Sequence, residues 1–175
     1  MVAMRAGAAA QLRTIGRLHA SLSGQGIDYW LFGGWAVDFH AGRVTRDHAD
    51  VDVCMWAADL DRVRALLEGE GWRHAPGPEE DGYTGYERDG VRLELAFLER
   101  DDAGTVYTPL REGRGDWPAG SFGDDEAEVA GVVARVVGLT ALVEDKSGPR
   151  LDQVTADKDR ADIAVLTSLR RGGDA

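Results

Sequence analysis

Asp50 and Asp52 stand two residues apart in the segment Asp50-Val51-Asp52-Val53-Cys54-Met55. Acid and apolar residues alternate at its start, which marks a half-buried strand, and on a strand residues i and i+2 leave the same face. The two carboxylates therefore share one small space while Val51 and Val53 point into the core. Like charges held so close repel, and one is driven toward protonation unless a cation sits between them. Magnesium suits that need, because it is a hard ion that takes one or two carboxylates together with waters and substrate phosphates. An isolated Asp-x-Asp pair at a strand end is ordinarily just solvated surface. The Gly33-Gly34 pair, between a strand and a short helix, adds weight: glycines there let backbone N–H groups approach a triphosphate at a helix N-terminus. Alone, that pair reads as a tight turn needing positive φ.

The elements that must position these residues are legible in outline. Leu12, Ile15, Leu18 and Leu22 recur at helical spacing between Ala8 and Leu22, until Gly24 and Gly26 break the pattern. Tyr29 to Phe32 read as a strand, and Trp35 to Phe39 as a short helix ending near Gly42. Asp59 is placed to cap a helix carrying Leu60, Val63, Leu66 and Leu67. Ala75 to Gly82, with Pro76 and Pro78, read as a loop. Tyr83 to Arg88 and Val91 to Leu98 form a hairpin around Asp89-Gly90. Residues 100 to 126 are glycine-rich and acidic, predicting loops and a short strand around Val106. Val129 to Val137 read as a strand, Leu139 to Lys146 and Ala156 to Leu169 as helices, with Gly148-Pro149 the one candidate linker and Arg171 to Ala175 a fraying end. The expectation is an α+β fold, a small mixed β-sheet flanked by helices, in a single domain over 1–175: an α/β core over 1–137 and a helical part over 138–170.

Composition narrows the partners. The chain has 175 residues and a formal charge of −11, from 31 acids against 20 bases, and it lacks the basic stripe that nucleic-acid binding needs. Such acidity serves solubility, and it also concentrates a small cation near the surface. Cys54 is the one cysteine, so there is no internal disulfide and no structural zinc site. No opening apolar run is long enough to span a bilayer, so a cytoplasmic protein without membrane contact is expected.

The stretch Phe32-Gly33-Gly34-Trp35-Ala36-Val37-Asp38, followed by Gly42-Arg43-Val44-Thr45-Arg46-x-His48-x-Asp50-Val51-Asp52, resembles the aminoglycoside 2''-adenylyltransferase family, and the lincosamide nucleotidyltransferases look similar. Both belong to the polymerase-β-like nucleotidyltransferases. The close likeness covers about residues 28 to 56; beyond it remain a third acid on a later strand and a lysine-bearing helical end. The resemblance implies a nucleotidyltransferase fold and transfer of AMP from ATP to a hydroxyl of a small antibiotic, with two magnesium ions about 3.5–4 Å apart steadying the attacking and leaving oxygens.

It further implies a third carboxylate, for which Glu94 in Leu93-Glu94-Leu95 is the candidate. Relatives often carry Asp there, and Glu94 reads equally as a metal ligand or as base to the attacking hydroxyl. As a plain surface residue it would pair with Arg92 for under about 1 kcal/mol. Triphosphate charge calls for cations: Arg46, able to grip phosphate in a bidentate fashion or else to pair with Asp47, and Lys146 and Lys158 on the terminal helices. For an aminoglycoside acceptor, Glu99, Asp101 and Asp102 would meet its ammonium groups; otherwise they are solvated charge. His48 reads as holding its loop rather than relaying a proton, and Trp30 and Trp35 as core residues rather than base-stacking ones. Other acceptors (a lincosamide, a biosynthetic intermediate or a protein hydroxyl) and a non-catalytic antitoxin-like module of the same fold are the alternatives. Sequence does not fix the monomeric or homodimeric state.

Overall fold

The computed structural model describes residues 6–77, 79–148 and 153–172. Helix α1 (Ala6–Gly24) leads to strand β1 (Tyr29–Leu31), helix α2 (Gly33–Ala41) and strand β2 (Val51–Trp56). A 3-10 turn and helix α3 (Leu60–Gly69) follow, then β3 (Arg73–Ala75), β4 (Tyr83–Arg88), β5 (Val91–Arg100), β6 (Val106–Leu110) and β7 (Gly113–Asp116). Strands β8 (Glu126–Val129) and β9 (Val132–Arg135) precede helices α4 (Leu139–Ser147) and α5 (Gln153–Gly172). The main sheet runs β1-β2-β5-β4-β3, with β6 and β7 continuing from the far end of β5. It is mixed, as expected: β2 and β5 are parallel and the other pairs antiparallel.

Alternation along β2 buries Val51, Val53 and Met55 on the core face together with Leu93 and Leu95 of β5. Helix α1 lays Leu12, Ile15, Leu18 and Leu22 into the same core, the stripe that its spacing predicts. Trp30 and Trp35 are core residues too, at 3% and 1% exposure. At the β4–β5 turn Asp89 and Gly90 both take positive φ, 50° and 76°, which closes a two-residue hairpin in register Arg88 to Val91.

Several local expectations are corrected. The segment beginning at Ala75 is not all loop, since Arg73–Ala75 pairs with β4 as an edge strand; three residues are too few to show a period. The apolar run up to Val137 is not one strand: Ala130 and Gly131, at φ 50° and 82°, fold it back into the β8–β9 hairpin. Residues 106–116 form a second hairpin rather than one short strand. Asp59 precedes α3 without a capping hydrogen bond, its carboxylate accepting from Arg62 at 2.7 Å instead. Helix α5 continues to Gly172, past the last apolar position at Leu169. Pro78, Pro149 of the candidate linker and residues 173–175 of the fraying end lie outside the described residues. Among those described, no helix is long and apolar enough to cross a membrane.

Candidate active site

The parallel register of β2 against β5 sets Asp52 beside Glu94, and Asp50 is two residues before Asp52 on the same face. Asp50, Asp52 and Glu94 each offer one carboxylate oxygen, all within 4.8 Å of one another. Burial and the crowding of acids raise the proton affinity of the two aspartates. Asp52 is pushed up to about 8, by removal from water first and then by Asp50 and Glu94, with Lys146 and Arg46 pulling the other way. Asp50 is raised as well, by burial and then Glu94, against the pull of Lys158, Arg92 and His48. One oxygen of Glu94 accepts from Arg92 Nε at 2.7 Å, so the pair expected of a surface residue coexists with membership of the cluster. This donor set fits a hard divalent cation: all oxygen, net negative, and costly to leave without a counter-charge.

The glycine pair proves to be the first turn of α2 rather than a loop before it. Gly33 takes φ 62°, and a Cβ there would collide with the Asp52 carboxylate; one on Gly34 would collide with the Arg46 guanidinium and the His48 ring. Glycine is thus required both for backbone conformation and for the close approach of α2 to the acid strand.

The polar segment between α2 and β2 is pinned from inside. Asp38, fully buried on α2, accepts from the Thr45 backbone N at 3.0 Å and from Thr45 Oγ1 at 2.5 Å, and meets His48 Nε2 at 2.6 Å. Arg46 Nη1 lies 3.0 Å from His48 Nδ1; arginine only donates, so when the ring is neutral Nδ1 is the acceptor and Nε2 carries the proton toward Asp38. The His48 carbonyl accepts from Gln11, whose own carbonyl accepts from Trp35. His48 therefore holds the loop, through its side chain as well as its backbone.

The expected phosphate cations are differently placed. The Arg46 guanidinium forms a two-point pair with Asp162 of α5, both contacts 2.9 Å, and donates to the Asp47 carbonyl at 3.1 Å rather than pairing with its carboxylate. Lys146 is buried on α4, between Asp162 at 2.8 Å and Asp159 at 3.2 Å. Both cations reach Asp52 through their charge but are already committed to carboxylates. Burial opposes ionisation of Asp162, yet hydrogen bonds from Arg46 and Lys146 hold it below the usual carboxylate range. Lys158 is exposed on α5, and its charge bears on Asp50.

Glu99, Asp101 and Asp102 are not brought to this cluster. Glu99 is five residues beyond Glu94 on β5, about 17 Å at the usual strand rise, and the two aspartates lie further on. Glu99 accepts from Tyr107 at 2.6 Å, and Asp101 ties down its own turn and meets Arg114 at 2.9 Å. The residues that spacing did not single out are Asp38, Asp159 and Asp162. A signal existed: Asp159 and Asp162 share a helical stripe with Leu166, which is buried, and Asp38 interrupts the apolar run Trp35 to Phe39.

The sequence profile of aminoglycoside-2''-adenylyltransferases matches residues 14–166. The 2''-aminoglycoside nucleotidyltransferase of Escherichia coli is 33% identical over 63 residues, 36% of each chain. A lincosamide resistance protein of Staphylococcus haemolyticus is 38% identical over 47 residues, 27% of this chain and 29% of that one. These alignments span only about a third of the relatives' length. Among solved structures, the lincomycin-bound lincosamide adenylyltransferase LnuA superposes with a TM-score of 0.71 at 23% identity, over 91% of this chain and 96% of that one. ANT(2'')-Ia in complex with adenylyl-2''-tobramycin gives 0.67 at 23% identity, over 95% and 99%. The fold is accordingly the nucleotidyltransferase fold, and the extent of the profile match shows that the chain belongs to the aminoglycoside-2''-adenylyltransferase family.

Proposed function

We propose that this protein is a magnesium-dependent nucleotidyltransferase that moves AMP from ATP onto a hydroxyl of a small cationic antibiotic, an aminoglycoside in the first instance. The observation that carries this reading is the convergence of Asp50, Asp52 and Glu94 within 4.8 Å beside the first turn of α2. Asp50 and Asp52 would hold two magnesium ions, which when bound polarise the α-phosphate and neutralise charge on the departing pyrophosphate.

The chain's own residues do the rest. Gly33 and Gly34 let the N-terminus of α2, with its partial positive charge, lie against the acid strand, where a triphosphate would face it. Lys158 supplies exposed positive charge near Asp50. Glu94, on the neighbouring strand, serves either as a third metal ligand or as base to the attacking hydroxyl, and its pair with Arg92 orients the carboxylate. The net charge of −11 draws a cationic acceptor toward the surface.

A lincosamide acceptor is the second reading, favoured by the likeness to the lincosamide enzymes in both sequence and fold. Pyrophosphate release, measured with ATP, magnesium and a panel of aminoglycosides and lincosamides, separates the two. Release with an aminoglycoside is the expected result. Release with a lincosamide alone moves the acceptor to the second reading, and no release with either class overturns the resistance reading.

A further inference from the structure

Arg46 and Lys146, from separate elements, are both held by one buried carboxylate, Asp162, and the Arg46 guanidinium lies against Gly34 in the first turn of α2. Arg46 spends Nε and Nη2 on Asp162 and Nη1 on Asp47 and His48. A guanidinium so engaged has little donor capacity left for a phosphate. The arrangement joins three parts of the chain: the loop that carries Asp50, helix α4 through Lys146, and helix α5 through Asp162. Lys158 is four residues before Asp162 on α5, hence on the same face and about 6 Å along the axis, and it is exposed where Asp162 is buried.

We propose that Asp162 is a positioning residue for nucleotide binding: by holding Arg46 and Lys146 together it docks α5 against the acid-bearing loop and aims Lys158 at the triphosphate. The inference rests on the proposed nucleotidyl transfer and assigns Arg46 and Lys146 to the latch rather than to the phosphate grip. Helix α5 packs against α2, whose first turn lies beside the acid strand, which agrees with this aim. A carboxylate is needed at position 162 because it alone accepts from both cations at once with full charge.

The test is a double-mutant cycle on the full chain, read as the Kd of α,β-methylene-ATP with magnesium by calorimetry. Lys158→Gln is expected to weaken binding about tenfold, in line with loss of one charged hydrogen bond. Asp162→Asn should weaken it by a similar factor, and the double variant should bind no worse than either single one. Should Asp162→Asn fail to fold, Asp162→Glu, which keeps the charge but lengthens the arm, carries the same cycle, its loss vanishing in the Lys158→Gln background. Losses that multiply, or an Asp162 variant that binds like the parent, overturn the inference and leave the nucleotidyltransferase reading intact. Absence of binding by the parent chain overturns that reading and the inference with it.

Discussion

Two groups of carboxylates lie beside the loop 43–50 and differ in how their charge is met. Asp50, Asp52 and Glu94 crowd together, with an exposed arginine on Glu94 as the one cation in direct contact among the described residues, and the proton affinity of Asp50 and Asp52 rises. Asp159 and Asp162 are the more buried by exposure, yet Asp162 falls below the usual range because Arg46 and Lys146 sit on it. Burial therefore does not distinguish a site from a scaffold; internal charge compensation does. The uncompensated group needs something from outside the chain, and the compensated group holds the chain together.

The largest effect should come from removing an acid of the first group. Asp52→Asn is expected to lower turnover about 10⁴-fold, the several kcal/mol that metal-assisted charge stabilisation supplies, while Tm holds or rises because a repulsion has gone. A marked drop in Tm would place Asp52 with the scaffold. Glu94→Gln should cost ~10²–10⁴ in kcat with nucleotide affinity retained if the residue is the base; joint loss of nucleotide and metal binding in calorimetry would make it a ligand.

In the second group the same kind of change should act on stability. Asp162→Ala leaves the partly buried Arg46 without its carboxylate and the buried Lys146 with Asp159 alone, and is expected to cost about 3–5 kcal/mol, read as a lower urea midpoint at unchanged slope. A midpoint within error of the parent would dissolve the contrast between the groups.

The smallest effect, and the sharpest, is in pH dependence. Without divalent ions, the raised Asp52 contributes stability that is complete below its unfolded value near 3.8 and is lost as pH rises toward about 8. Asp162, being lowered, contributes stability present above its unfolded value and lost on acidification. Magnesium should therefore raise Tm more at pH 8 than at pH 6, where it must displace a proton from Asp52. Equal shifts at the two pH values, by scanning calorimetry, would remove Asp52 as the proton competitor.

The sequence by itself determined the strand bearing Asp52, with Asp50 immediately before it, the face the two share, the glycine pair before it, the β4–β5 hairpin and the amphipathic α1. Each is a local matter: period two, period 3.6, or a turn dipeptide with a fixed backbone demand. Glu94 was legible as a candidate from its apolar neighbours, but only the parallel pairing of β2 with β5 set it beside Asp52. The tertiary structure alone decided that Arg46 and Lys146 close on Asp162, more than 100 residues from Arg46, and that Glu99, Asp101 and Asp102 lie at the other end of β5. Spacing in the chain carries the direction of a side chain within its own element; which charges meet across elements depends on how those elements dock. The feature that pattern could not supply is thus the compensation that separates the two carboxylate groups.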